Sequence, residues 1–105
     1  SPISIEASSL EIIHNEKNVI MDGKVRVINE DISLTTDYME LLYNLVEISN
    51  DIEIARIYCD GNVLIEFDDQ LITSQIAEYD LNTNSLLLKD KEPKLKSILK
   101  DKNKD

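Results

Sequence analysis

The sequence is poor in the residues from which most catalytic sites and most loops are built. It has one cysteine, one histidine, one phenylalanine, no tryptophan, two glycines and two prolines in 105 residues. A lone thiol, Cys59, closes no internal disulfide and falls short of a zinc ligand set, so it reads as a small buried apolar residue. With a single histidine, any Ser-His-Asp or Cys-His arrangement depends on His14, which sits beside Asn15 in a polar, solvated turn. Aromatic side chains make up 5% of the chain, too few for a platform that stacks single-stranded nucleic acid. There is no Gly-rich phosphate loop and no Asp-x-Asp-x-Asp-Gly calcium loop. No apolar run approaches the roughly 18 residues of a membrane-spanning helix. The opening Ser1-Pro2-Ile3 has neither a basic nor an apolar leader region; a chain trimmed to a mature start looks the same, which leaves the compartment open.

Charge of one sign is also scarce. Lys and Arg number 11 against 21 Asp and Glu, a net charge of -10. Only Lys17, Lys24, Arg26 and Arg56 are basic before residue 89; the other seven lysines all fall in residues 89–105. A body this acidic repels phosphate backbones and excludes nucleic acid as its partner. The paired carboxylates Glu30-Asp31 and Asp68-Asp69 lie at turns, where neighbouring side chains point apart rather than converge on one proton.

What the chain does have is isoleucine and valine, 20 together, and a two-residue period almost throughout. Val19, Met21, Gly23, Val25 and Val27 alternate with a wetter set, as do Ile32, Leu34 and Thr36, then Met39, Leu41 and Tyr43, then Cys59, Gly61, Val63, Ile65 and Phe67. Such runs predict strands with one apolar and one wetter wall. Asp37–Val46 is ambiguous, because Tyr38, Leu41, Leu42 and Leu45 also fit a helix face. Asn- and Asp-rich clusters at 14–18, 29–31, 49–51, 68–69 and 82–84 predict tight connections and antiparallel pairing. Asp22-Gly23-Lys24-Val25-Arg26-Val27 recurs as Asp60-Gly61-Asn62-Val63-Leu64-Ile65, each copy followed by a strand ending in Tyr and a polar residue, Tyr43-Asn44 and Tyr79-Asp80. The stretch 7–18 looks like a third, partial copy of that second strand. In both copies the alternation continues in phase across the glycine, which predicts a bulge inside a strand rather than a hairpin turn. The expected fold class is all-β, antiparallel and repeated. Residues 1–93 form the domain; residues 94–105 form a lysine-rich polar tail, read as a short helix or a disordered end.

The order of these motifs resembles the LptA/OstA family of lipopolysaccharide-transport proteins. The carriers of the likeness are Pro2-Ile3-Ser4-Ile5-Glu6-Ala7-Ser8-Ser9-Leu10, Gly23-Lys24-Val25-Arg26-Val27, Leu34-Thr35-Thr36-Asp37, Gly61-Asn62-Val63, Ala77-Glu78-Tyr79-Asp80, Leu86-Leu87-Leu88 and Pro93-Lys94-Leu95. Ser8 stands where the family has Asp, and Thr36 and Cys59 where it has Ala; all three preserve the alternation. The resemblance implies an open, twisted β-jelly roll in the periplasm, non-enzymatic and without a cofactor. Its apolar interior would take the acyl chains of lipopolysaccharide. Its edges would stack head-to-tail with copies of itself and with related domains of inner-membrane and outer-membrane components. On that reading the lipid-facing wall comprises Ile5, Leu10, Val25, Val27, Leu34, Met39, Leu41, Val63, Ile65, Ile72, Tyr79, Leu86 and Leu88. The same alternation also fits a closed core, and then the chain is a β-sandwich adaptor that binds only protein. Within the pathway, the Pro-Ile-x-Ile opening favours the soluble component over a domain of an anchored or outer-membrane partner.

Overall fold

The computed structural model describes residues 3–90. They form seven strands: β1 (Ser4–Glu6), β2 (Ser9–Ile13), β3 (Asn18–Asn29), β4 (Ile32–Val46), β5 (Asp51–Phe67), β6 (Gln70–Asp80) and β7 (Ser85–Lys89). One 3-10 turn, His14–Glu16, joins β2 to β3. All seven belong to a single antiparallel sheet, in which β1 and β2 share one edge of β3 and the order then runs β3-β4-β5-β6-β7. Among the described residues the two edges do not pair, so the sheet stays open. The segment that also fitted a helix is strand: β4 continues three residues past Tyr43, to Val46, so it does not end at Tyr43-Asn44 as the repeat predicted. It is Leu41, not Tyr43, that shares a row with Tyr79, both lying opposite Ile57.

The register lines the alternating residues up into rows across the inner face. One row runs Ile12, Val19, Leu41, Ile57, Tyr79, Leu86; the next runs Leu10, Met21, Met39, Cys59, Ala77, Leu88. A third, Ile5, Val27, Leu34, Ile65, Ile72, lies beyond a line of irregularities. That line crosses the sheet: the break between β1 and β2, then register shifts at Asp22/Val25, Thr35/Tyr38 and Asp60/Val63. Both Asp-Gly motifs therefore sit in mid-strand bulges, with the chain continuing as strand on each side. Bulges bend strands and sharpen their twist, and a row of them folds the sheet along one line. A residue on a single sheet reaches full burial only if something covers its face. Met21 and Val25 have 0% exposure, and one cluster joins Met21, Met39 and Cys59 from one side of the line to Val63 and Ile65 from the other. The two halves of the bent sheet thus cover each other.

The bulges also explain the glycines. Gly23 and Gly61 adopt φ of +82° and +95°, where an L side chain is strained. Space is short as well. A Cβ on Gly23 would lie 2.9 Å from Ser8 Cβ, and one on Gly61 would lie 2.7 Å from Asp37 Oδ2. The backbone groups that the bulges take out of the ladder find other partners. The Ser8 amide donates to the Gly23 carbonyl (2.8 Å), and the buried Thr36 hydroxyl donates to the Gly61 carbonyl (2.8 Å). Thr36, which departs from the family pattern, thus gives this carbonyl a donor that alanine could not supply. Asn62 Nδ2 donates to Asp37 Oδ2 (2.9 Å), which holds the carboxylate against the glycine. Gly61→Ala is expected to cost about 1–3 kcal/mol through backbone strain and this clash. Asp37→Ala alone loses the Asn62 hydrogen bond, but in the Gly61→Ala background it also relieves the carboxylate contact and leaves the backbone strain and the 3.1 Å approach of the Asp37 Cβ, so a double-mutant cycle in urea should show positive coupling. Unchanged stability of Gly61→Ala would contradict the packing described.

Candidate functional site

On the inner face the bent sheet leaves an apolar trough of about 400 Å3, within the roughly 300–1,000 Å3 range of small-molecule sites. Its lining comes from both sides of the bend: Ile57, Cys59, Ala77, Tyr79 and Leu86 from one half, Val27, Ile32, Leu34, Ile65 and Phe67 from the other, with Ile3 and Asn29 at the rim. Each half owes its apolar character to period-two alternation, and the bulges turn the two halves toward each other.

The predicted wall residues divide into three groups. Val27, Leu34, Ile65, Tyr79 and Leu86 line the trough. Val25, Met39, Leu41 and Val63 lie in the sealed cluster, with Ile72 and Leu88 packed against it. Ile5 and Leu10 occupy the inner rows but sit on the open β1/β2 edge, exposed. Several lining residues were absent from the predicted wall. Ile57 and Cys59 belong to the same alternation as Val63 and Ile65 and were legible from it. Ile3, Ile32 and Phe67 lie at strand ends, where alternation alone does not say whether a side chain is covered.

Cys59 is buried between Met39 and Ala77, and burial pushes its thiol up to about 12 from an ordinary 9. The folded state therefore keeps a proton that the unfolded chain releases. Stability is unaffected below about pH 9 and is lost as pH rises from there toward 12, at about 1.4 kcal/mol per pH unit. Cys59→Ala should flatten that part of the urea-denaturation profile; an unchanged slope would place the thiol in water.

The outer face has the opposite character. Glu11, Glu40 and Glu78 occupy one outer row, and Asp22 and Asp60 the next. Burial first, then the neighbouring Glu40 and Asp22, raise the Tyr38 hydroxyl above 10. Both turn carboxylate pairs, Glu30-Asp31 and Asp68-Asp69, come to one end of the sheet around a second, polar cleft, a proximity the sequence did not reveal. Among the described residues no group of carboxylates, histidine or cysteine is arranged to hold a metal ion, and no helix is long and apolar enough to cross a membrane.

A family described as LptA/(LptD N-terminal domain) LPS transport protein matches residues 4–104. The chain belongs to this family. It is thus an LptA-like domain of lipopolysaccharide (LPS) transport, and the open antiparallel sheet is the family's β-jelly roll. Comparison with curated proteins finds no match. Among solved structures, the chain is similar to LptH from Pseudomonas aeruginosa, described as the LptA homologous periplasmic component of the conserved lipopolysaccharide transport device. The identity is 14%, the TM-score 0.38, and the match covers 86% of this chain and 83% of that one. The lysine-rich tail, together with Pro93 and Leu95 of the last family motif, lies outside the described residues of this LptA-like domain.

Proposed function

We propose that this chain is a periplasmic, non-enzymatic carrier that holds the acyl chains of LPS in the apolar trough and leaves the phosphorylated headgroup outside. The observation that carries the reading is an apolar trough left open to solvent in a domain whose family transports LPS. Burying acyl chains there gains about 0.8 kcal/mol per CH2. The acidic outer rows disfavour phosphate, so the charge distribution supports an orientation with the acyl chains inside and the headgroup directed away from the body. The periplasmic location is that of LptH, brought to this chain by family membership.

Two further parts of the reading concern assembly. Among the described residues the edges β1/β2 and β7 pair with no further strand, which suits edge-to-edge addition of another sheet. We assign these edges to related jelly-roll domains of inner- and outer-membrane components and to head-to-tail copies of the chain, which together would bridge the two membranes. Within the pathway we assign the chain first to the soluble component; a domain of an anchored or outer-membrane partner is the second assignment. A closed adaptor sandwich is disfavoured by the exposure of inner-row residues such as Leu10 and Leu86. The test is equilibrium binding of purified LPS to the purified chain. Saturable binding competed by detergent-solubilised lipid A supports the carrier; no binding by folded protein turns the reading to the adaptor.

A further inference from the structure

The sheet is not flush at its Leu42 end. β3 begins opposite Leu42, at Asn18, and β6 ends opposite Arg56, at Asp80. Among the described residues, β4 and β5 run on beyond these positions as a two-stranded ribbon, pairing Tyr43 with Ile54, Asn44 with Glu53, Leu45 with Ile52 and Val46 with Asp51. The ribbon is tied down at its root, where the Tyr43 amide donates to the Lys17 carbonyl and the Leu81 amide to the Ala55 carbonyl, both at 3.0 Å.

A register shift sits at that root: Leu42 pairs with Arg56, but Tyr43 pairs with Ile54, so Ala55 is an inserted residue. Its effect is specific. Continuing inward from Ile57 by strict alternation would aim Ala55 and Glu53 at the inner face. The insertion reverses the phase, so Ile54 and Ile52 face inward with Tyr43 and Leu45, and Glu53 and Asn44 face out. The ribbon therefore extends the apolar inner wall by two more rows, about 13 Å beyond the last full row. Ile54 still packs on the cluster, whereas Ile52 is 65% exposed and Leu45 is exposed too.

We propose that this ribbon is a lip of the trough, a second contact for LPS acyl chains on which Leu45 and Ile52 take up lipid in line with the rows below. This assignment rests on the carrier reading and adds a contact surface to it. The occupant follows from continuity and charge. The apolar rows stay on the inner face from the trough wall onto the ribbon, because the inserted Ala55 turns Ile54 and Ile52 to the same side as Tyr43 and Leu45. Glu47, Asp51 and Glu53 surround them, and these repel both a second copy of so acidic a body and an anionic lipid headgroup layer, but not a hydrocarbon chain.

A photo-crosslinking amino acid placed singly at Leu45, Ile52, Asn44, Glu53 or Leu34 in the full chain tests this against purified LPS, with circular dichroism as the folding check. Crosslinks to LPS at Leu45, Ile52 and Leu34, and none at Asn44 or Glu53, are expected. LPS captured at Leu34 but not at Leu45 or Ile52 overturns the lip and leaves the carrier reading standing. Capture at the ribbon without Leu34 overturns the continuity on which the lip rests, and capture nowhere overturns both. Crosslinks from Leu45 or Ile52 to a second copy of the chain, in place of lipid, reassign the ribbon to self-association. Leu45→Ser with Ile52→Ser should also weaken LPS binding by about tenfold, since both side chains lose their apolar contact. Binding equal to wild type overturns the lip.

Discussion

Replacing Met21 and Met39 together with alanine is expected to unfold the domain or bring it to the edge of unfolding at room temperature. The two side chains are opposite each other on β3 and β4 and are fully buried. They sit where the covering half of the bent sheet comes down on the row, so they fill the joint between the halves rather than one wall. A buried Met→Ala change costs about 2–5 kcal/mol through lost transfer energy and the cavity left behind. A domain of this size has only about 5–15 kcal/mol of stability in total. The two sites share one cavity and will not add simply, yet either order of loss removes most of the margin. Met39→Leu conserves volume and should cost under about 1.5 kcal/mol. Thermal and urea unfolding followed by circular dichroism decide the matter. A double variant that melts within a few degrees of wild type would mean that the halves do not rest on these residues.

The second large effect concerns binding rather than stability. Ile32→Glu with Leu86→Glu should leave the fold intact and reduce LPS binding by at least about a hundredfold. Both residues line the trough from opposite sides of the bend, and they are 49% and 47% exposed, so a carboxylate at either can stay hydrated in the free protein. On the proposed carrier reading, acyl chains entering the trough would displace that water and leave an unpaired charge against hydrocarbon, which costs several kcal/mol. Position is what makes this pair informative. Leu41, which alternation marks as an equally good wall residue, is in the sealed cluster, and Ile65, although it borders the trough, is buried in that same cluster. Glutamate there would unfold the domain and abolish binding for the wrong reason. Leu87→Glu is the matched control: it adjoins Leu86 on β7, points to the outer face opposite Glu78, and should bind LPS as wild type does. Equal loss in Leu87→Glu would show that added negative charge acts at a distance and not in the trough.

Much of this domain is legible in the order of its residues. The two-residue period assigned each strand an inner and an outer wall, because a side chain on a strand can point only two ways. The Asp-Gly repeat located both mid-strand bulges, because alternation held in phase across each glycine. The order of short motifs pointed to the family. Three features depend on how the strands come together. Asp37–Val46 fits helix and strand equally as an isolated stretch, and pairing with β3 and β5 selects strand. Alternation cannot separate Leu41, sealed, from Leu34, in the trough, or from Leu10, exposed; coverage depends on where the bulge line folds the sheet and on how near an edge each row ends. Finally, the phase reversal at Ala55 that turns Ile52 and Ile54 inward arises from the register between β4 and β5. Register is a property of two strands together, and neither strand carries it alone.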